Sequence, residues 1–434
     1  MAATTAFDQI VHVGRETVKT TFEYIGENET PLLQYFMKKD KQLLTEQGYR
    51  IPIQTRRPGG HTSYDRSNVD FRDPVSMETD SMRTYPVWYA LPFKIDGATL
   101  RALKRGDVNQ FMNYRRYMKG ITEAAMKRLE YYFHGDGTAA LAVCSNAGIT
   151  SATSGLTLNC QYLASAAVGE AETKGTQRLE VGHTYACIDT DGTTINSIFT
   201  VTAIASKTSC TVTCTTYNAT NASGDYIVDA GPTTTTSANK KAPMGLRGFC
   251  AQTGILQNIP RSDYAELKTP RYNGSDAPIT PYAFRFAKDL VRIAANNDSE
   301  VSGRTVVITP GQHGALCNQQ FGYRRYEGNE NVRGVASKYV DADGDTMLVC
   351  ADGAEDRIYI IDGSNFKMGE EKPFGAFDED GNDIRMLVGA NSSGSDKFAG
   401  SIGWGGNLIK EGLPRVDAYI DRLSQTDIAQ QVSL

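Results

Sequence analysis

The stretch DVNQFMNYRRYMKGITEAAMKRLEYYFH, residues 107–134, decides how the rest of the chain is read. Apolar residues recur in it at spacings of three and four, which is the period of one helix face. They are Phe111, Tyr114, Met118, Ile121, Ala125, Leu129 and Tyr132. Gly135 follows as a stop signal. The pattern predicts one amphipathic helix about 40 Å long, longer than most helices of globular proteins.

The residues upstream of this helix predict a long hairpin. RIPIQTRRP (50–58) alternates like a strand, and RPGGHTSYDRSN (57–68) is rich in turn formers. The residues from Ser67 to Phe93 have the pattern of the return strand. An isolated hairpin is marginal in water. Residues 50–93 are therefore expected to need a partner surface, with the apolar YPVWYALPF (85–93) as the root.

Two other regions have a clear character. PLLQYFMKKDKQLLTEQG (31–48) predicts a short helix, with Pro at its first turn and Gly past its end. From about residue 143 to Lys240 the chain is rich in Thr, Ser, Ala and Gly, and four short runs alternate like strands. DTDGTT (189–194) has the composition of a hairpin turn. This region predicts a small inserted β-barrel or sandwich.

From Met244 the pattern is mixed α/β. Thr280 is an N-cap candidate followed by Pro281, and RTVVITP (304–310) predicts a buried strand that leads into a second helix. The later strands are TMLVCAD (346–352), RIYIIDG (357–363) and a series of glycine-punctuated runs after Phe366. No repeat of fixed period is present.

Composition excludes several classes of protein. The 434 residues are too many for one compact core, and 40% hydrophobic with 22% charged residues is typical of globular proteins. A net charge of −5 gives no chain-wide basic footprint for nucleic acid. No stretch approaches a membrane span, and the N-terminus lacks the features of a signal peptide, so we expect synthesis in the cytoplasm. The eight cysteines form no C-x-x-C pair and are expected to be reduced and partly buried.

The search for chemistry finds no catalytic constellation. No phosphate-binding loop and no G-x-S-x-G nucleophile elbow occurs, and GWGGN (403–407) opens no helix. The five histidines are scattered, and none is expected beside a candidate nucleophile. DADGDT (341–346) has aspartates at calcium-ligand spacing but lacks the sixth-position Gly. We interpret it, like DEDGND (378–383), as a solvated acidic turn rather than a weak cation site.

The long helix and the residues just before it are basic. Between Arg101 and His134, eight Lys or Arg stand against three acids, a local charge of +5. Two interpretations stay open, a solvated helix face and a face turned to polyphosphate or acidic neighbours. The residues of the second interpretation are Arg115, Arg116, Lys119, Lys127 and Arg128.

The order of these parts resembles that of the major capsid proteins of tailed double-stranded-DNA bacteriophages, the Hong Kong-phage-type fold. Four quoted segments carry the resemblance. They are TYPVWYALPFKIDGATLRALKRGD (84–107), VNQFMNYRRYMKGITEAAMKRLEYYFHGDGT (108–138), GLRGFCAQTGILQNIPRSDY (245–264) and RTVVITPGQHGALCNQQFGYRRY (304–326). The resemblance covers most of the chain outside the insert.

The resemblance implies an α+β fold of the tailed-phage capsid type with an inserted small all-β domain. The implied parts are an N-terminal arm and short helix (1–49), an extended hairpin loop (50–95), a peripheral domain with the spine helix (96–141), the β-rich insert (142–242), an axial α/β domain (243–370) and closing strands with a C-terminal arm (371–434). The hairpin would lie over an adjacent subunit. Its inter-subunit residues would be Arg56, Arg57, His61, Tyr64, Asp65, Arg66, Asp70 and Arg72.

The implied function is a non-enzymatic shell subunit that assembles into hexamers and pentamers around double-stranded DNA. Implied partners are copies of itself, a portal protein, a separate scaffolding protein, a decoration or cement protein, and DNA through weak non-specific contact. The implied location is the virion capsid, assembled in the host cytoplasm, with no membrane, cofactor or metal. Some members of the family link subunits by an isopeptide bond from a lysine of this loop. Residues 50–93 contain no lysine and Lys94 lies at the root only, so we expect no such bond from the loop tip. The alternatives are an encapsulin-like compartment shell and a β-rich surface binding protein.

Overall fold

A computed structural model of the chain describes residues 17, 30–56, 78–96, 108–146, 148–161, 175–190, 194–230, 241–295, 303–324, 345–354, 356–376, 384–388 and 394–423. The helices with described bounds are α1 Pro31–Met37, α2 Val108–His134, α3 Leu246–Phe249, α4 Pro281–Ala294 and α5 Pro310–Arg324. The strands are β1 Lys41–Leu43, β2 Tyr49–Arg56, β3 Glu78–Thr84, β4 Val87–Asp96, β5 Ala142–Cys144, β6 Leu156–Gln161, β7 Thr184–Ile188, β8 Ile195–Ser206, β9 Ser209–Tyr217, β10 Tyr226–Asp229, β11 Ile255–Leu256, β12 Ile259–Pro260, β13 Arg271–Ala277, β14 Thr305–Ile308, β15 Thr346–Val349, β16 Ile358–Ile361, β17 Phe366–Ala376, β18 Ile384–Val388, β19 Gly394–Lys410 and β20 Ala418–Leu423.

The long helix α2 confirms the prediction made from its apolar stripe. Five of the stripe residues, Tyr114, Met118, Ala125, Leu129 and Tyr132, are at most 3% exposed, because this face packs on the rest of the chain. Its last turn contributes Phe133 to the central core, where the ring lies 5.8 Å from that of Trp404. No helix in the described part of the chain combines the length and apolarity that a membrane span needs.

The helix predicted over residues 31–48 ends at Met37, so that prediction is wrong in its second half. The chain continues as β1, which pairs in parallel with β17. The reason is tertiary. Leu44 is buried against Gly369, where a Cβ would lie 2.6 Å from the Leu44 side chain. Packing at a residue far along the chain outweighs the local helix propensity.

The inserted region is a closed six-stranded barrel in the order β10-β5-β6-β9-β8-β7. The sequence did not distinguish a barrel from a sandwich. It predicted strands β7 to β10 but not β5 and β6. The barrel interior is filled by Leu158, Phe199, Val201, Val212 and Ile227, all fully buried. Cys210 and Cys214 share the inward face of β9, as their spacing predicts, and all eight cysteines of the chain are buried free thiols.

The α/β region forms a five-stranded sheet in the order β13-β20-β16-β14-β15. Helix α4 begins as predicted, with Pro281 first and the Thr280 hydroxyl accepting a hydrogen bond from the Ala283 N–H at 3.3 Å. Its buried face packs on the sheet through Phe284, Ala287 and Val291. The last strand of the described part of the chain, β20, belongs to this sheet, so residues late in the sequence complete the α/β region.

A second five-stranded sheet is built around β19. Strands β17 and β18 pair with successive parts of one edge, and β4 pairs with the other edge. The predicted return strand of the hairpin is thus two strands in two sheets, β3 and β4, which are separated by Tyr85 and Pro86. Strand β17 runs across residue 370, where the sequence placed a domain boundary. The mixture of sheets and few helices confirms the predicted α+β class.

Candidate assembly surfaces

The hairpin of β2 and β3 is a two-stranded ribbon in the described part of the chain. Its register runs from Tyr49 opposite Thr84 to Arg56 opposite Glu78. Ile51, Ile53 and Met82 are buried near its base. The sequence predicted this pairing from the alternation of apolar and polar residues.

The ribbon is anchored by polar contacts to the segment around β11 and β12. The Arg83 N–H donates to the Gln257 carbonyl at 2.8 Å, and the Tyr264 hydroxyl donates to Asp80 at 3.3 Å. Of the predicted inter-subunit residues, Arg56 ends β2. The others lie outside the described residues: Arg57, His61, Tyr64, Asp65, Arg66, Asp70 and Arg72.

The apolar root of the ribbon is β4, and it leaves large side chains exposed. Trp88 is 49% exposed and Tyr85 is 42% exposed. The inner edge of Trp88 lies over Gly405 of β19, where a Cβ would sit 2.9 Å from the ring. The glycine-rich GWGGN therefore lies in a strand whose glycines leave room for indole rings. This position agrees with the prediction that the segment is not a phosphate-binding loop.

The basic residues of α2 divide into two groups. Arg115, Arg116, Lys119 and Lys127 are exposed, and Lys119 also pairs with Glu123 at 3.5 Å. Arg128 departs from the predicted basic face, because it is only 9% exposed and contacts Asp229 at 3.3 Å. The barrel insert covers this position, which the helical pattern alone could not reveal.

Helix α4 is apolar on two faces. Opposite the buried face, Tyr282, Phe286 and Ile293 are exposed, the first and last by 66% and 72%. The ring of Phe286 lies 5.2 Å from that of Tyr272 and 6.0 Å from that of Tyr282. We call Tyr272, Tyr282, Phe286 and Ile293 the outer α4 patch, in which the three rings lie close together and Ile293 lies two turns beyond Phe286 on the same exposed face. Clustered exposed apolar side chains make this face a candidate interaction site.

The acidic turns and histidines have defined environments where they are described. The side chain of Asp345, a residue of the calcium-like DADGDT, is buried and forms an ion pair with Lys288 at 2.5 Å. Residues 341–344 and DEDGND lie outside the described residues.

The prediction that no histidine stands beside a nucleophile is wrong at two places. His313 lies 3.8 Å from the Cys317 sulfur on α5, and burial lowers the pKa of His313. His134 lies in a buried cluster with Cys350. Cys317 is only 3% exposed, so its sulfur is not open to a substrate. The Glu130–His134 spacing of four was visible in the sequence, but its proximity to Cys350 depends on the fold.

No protein-family model and no curated protein sequence matches the chain. Several solved structures, however, are similar to the chain. The capsid asymmetric unit of cyanophage A-1(L) is 8% identical with a TM-score of 0.48, over 92% of this chain and 93% of that chain. The capsid of a native GTA particle is 10% identical with a TM-score of 0.40, over 92% and 91% of the two chains. The holo-SrpI encapsulin complex from Synechococcus elongatus is 8% identical with a TM-score of 0.40, over 92% and 90%.

Phage capsid proteins, which the sequence resembles, are thus found again among the structures similar to this chain. A compartment shell is found beside them. Because identity is at most 10% and every quoted TM-score is below 0.5, the assignment of function depends on the surfaces of the chain itself.

Proposed function

We propose that this chain is the structural subunit of an icosahedral shell of the tailed-phage capsid type, with hexamers and pentamers enclosing double-stranded DNA. The observation that carries the proposal is the β2–β3 ribbon. Its two strands pair with no third strand in the described part of the chain, and only the face of Ile51, Ile53 and Met82 is buried, whereas Arg50 and Pro52 on the other face of β2 are exposed. A two-stranded hairpin is marginal alone and is stabilised when a neighbouring surface covers it. A second copy of the chain is the partner that a shell supplies.

The outer α4 patch supports the same proposal. A helix with apolar residues on both faces fits a position between two packed surfaces. The sheet covers the inner face, and we assign the outer face to a contact between adjacent copies around a capsomer axis. Aromatic anchors are the side chains that contribute most at protein interfaces.

The exposed basic residues of α2 are proposed as the inner face toward DNA. Arg115, Arg116, Lys119 and Lys127 remain in this set, and Arg128 is removed from it. With a net charge of −5 on the whole chain, contact with DNA would be local, weak and independent of sequence. This basic face favours nucleic acid over a peptide-tagged cargo, and so a capsid over an encapsulin-like compartment.

The remaining partners follow the family resemblance and are proposals as well. They are a portal protein, a separate scaffolding protein and a decoration protein. The role is structural, without catalysis, in the virion after assembly in the host cytoplasm. In the proposed shell, a decoration protein would bind to the outer surface of the barrel.

Replacing the hairpin tip tests the proposal. Residues 57–77 are exchanged for an Asn-Gly turn that joins Arg56 to Glu78, a turn compatible with a tight hairpin. The matched control exchanges residues 162–174, between β6 and β7, for a short Gly-Ser linker. Sedimentation velocity measures assembly, and thermal unfolding measures stability.

We expect the wild-type chain and the control to sediment as capsomers or shells. The hairpin variant should keep the Tm of the unassembled chain and sediment as a monomer. A hairpin variant that assembles like the wild type would contradict the proposal. So would a wild-type chain that stays monomeric under every assembly condition.

A further inference from the structure

A buried cluster of three metal-ligand side chains lies where α2 ends. Glu130 and His134 stand four residues apart on the last turns of α2, and therefore on one face. Cys350 follows β15 directly. The ligand atoms of the three side chains lie within 4.8 Å of one another, and all three residues are buried.

The imidazole of His134 is the observation that points to a ligand. Its side chain is 2% exposed, and neither ring nitrogen has a hydrogen-bond partner among the described residues. Nε2 lies 3.5 Å from Glu130 Oε1, without the geometry of a hydrogen bond. Gly353 closes over the ring, since a Cβ there would lie 3.8 Å from Cε1. Buried polar atoms without protein partners are rare in folded proteins, and a bound ion or a buried water is what commonly satisfies them.

We propose that Glu130, His134 and Cys350 bind one zinc ion. Nitrogen, sulfur and carboxylate oxygen are the donors that zinc prefers, and a tetrahedral ion would bring them about 3.3 to 3.8 Å apart. Glu130 Oε1 and His134 Nε2 are already 3.5 Å apart, and because every ligand atom lies within 4.8 Å of the others, a shift of at most about 1 Å reaches that geometry. The three side chains leave the fourth position to a water molecule.

The surroundings orient the carboxylate for this role. Glu130 accepts hydrogen bonds from the N–H groups of Leu33 at 2.6 Å and Leu32 at 3.2 Å, at the start of α1. Hydrogen bonds to a metal-binding carboxylate fix its orientation. The positive end of the short helix also favours the negative charge at this position.

The zinc ion would connect three elements that are far apart along the chain but close together in the folded protein. It would link the end of α2 to β15 of the α/β sheet, and through Glu130 to the start of α1. Metal binding would then add to the stability of the chain by mass action. This inference is independent of shell assembly, because it concerns the interior of one copy.

Metal analysis of the full-length protein tests the site. The protein is purified without chelator, equilibrated with zinc and measured by inductively coupled plasma mass spectrometry. We expect about one zinc per chain in the wild type and in the control Cys250→Ser, which changes another fully buried cysteine. Cys350→Ser and His134→Asn should bind zinc at least about 100-fold more weakly.

A cobalt titration of the wild-type protein keeps the proposal falsifiable if a variant fails to fold. Cobalt at the site should give tetrahedral absorption bands and a thiolate-to-cobalt charge-transfer band. Folded wild-type protein without zinc and without a thiolate band would overturn the proposal. Equal zinc affinity in wild type and Cys350→Ser would overturn it too.

Discussion

Arg128 of α2 and Asp229 at the end of β10 are in contact, with Nη2 3.3 Å from Oδ1. Tyr132, one turn further along α2, donates its hydroxyl to the other carboxylate oxygen at 3.0 Å. A second nitrogen of Arg128 donates to the Arg178 carbonyl at 3.3 Å. The spine helix is therefore tied to the barrel insert by a partly buried polar network.

Removing the Arg128 charge should destabilise the chain. Arg128→Met leaves Asp229 and the Arg178 carbonyl without this partner, and we expect a loss of about 2 to 3 kcal/mol in the free energy of unfolding. Arg116→Met, on the exposed face of the same helix, is the control and should change it by at most about 0.5 kcal/mol. Urea unfolding of both variants measures the difference. Equal stabilities of the two variants would contradict the network.

The buried pair of Lys288 and Asp345 predicts a larger effect. Both side chains are at most 4% exposed. Asp345→Asn should lower the free energy of unfolding by about 3 to 5 kcal/mol, because it removes the negative charge that lies against the buried Lys288 ammonium. The double change Lys288→Met with Asp345→Leu should cost less than Asp345→Asn alone. A double variant less stable than Asp345→Asn would show that the pair is not the cause.

Calcium provides a second check on Asp345. Since this carboxylate is committed to Lys288, millimolar calcium should leave the Tm unchanged, whereas an ion bound at this turn would raise it. Thermal unfolding with and without calcium makes the comparison.

Two phenylalanines on opposite faces of α4 separate folding from assembly. Phe284 is 2% exposed and Phe286 is 39% exposed. Phe284→Ala should lower stability by about 3 kcal/mol or more. Phe286→Ala should change the Tm little but weaken association, because it removes an anchor from the outer α4 patch. Sedimentation velocity combined with thermal unfolding distinguishes them, and normal assembly of Phe286→Ala would remove the patch from the proposed interface.

Asp362 predicts a contribution to acid sensitivity. Burial raises the pKa of its carboxyl, but hydrogen bonds from Ser364 and the charge of Arg304 at 2.7 Å outweigh burial and lower it overall. A pKa lower in the folded than in the unfolded chain gives stability that is present above the unfolded pKa of 3.8. That stability is lost as the pH falls through the folded pKa.

Comparing the wild type with Asp362→Asn tests the direction of this pH dependence of stability. The free energy of unfolding should fall more steeply with decreasing pH in the wild type than in Asp362→Asn, over the range below about pH 5. The variant keeps the shape of the side chain but does not titrate. Parallel curves would show that Asp362 does not carry this effect.

The elements whose residues repeat a regular local pattern could be predicted from the sequence. Helix α2 was predictable because its 27 residues repeat the helical period, and the β2–β3 pairing followed from alternation. The break between β3 and β4 was not predicted, but it is explained by Pro86, which has no N–H to donate to a strand ladder. Helix α1 was predicted too long, because the burial of Leu44 depends on Gly369.

The candidate surfaces were predictable only in part. The basic character of α2 is a property of the sequence, but which of its arginines faces solvent depends on the barrel, and Arg128 is covered by it. The outer α4 patch was missed, because which face of α4 packs on the sheet and which stays exposed depends on the fold. The Glu130, His134 and Cys350 cluster joins residues far apart along the chain, so no spacing rule could find it.

The most direct test of the shell proposal is negative-stain electron microscopy of the expressed chain, alone and together with the products of adjacent genes, with sedimentation velocity on the same samples. We predict closed shells or capsomer rings in at least one of these conditions. A stable monomer in all of them, with residues 50–93 resistant to protease, would contradict the account. The ribbon would then have found its partner within its own chain.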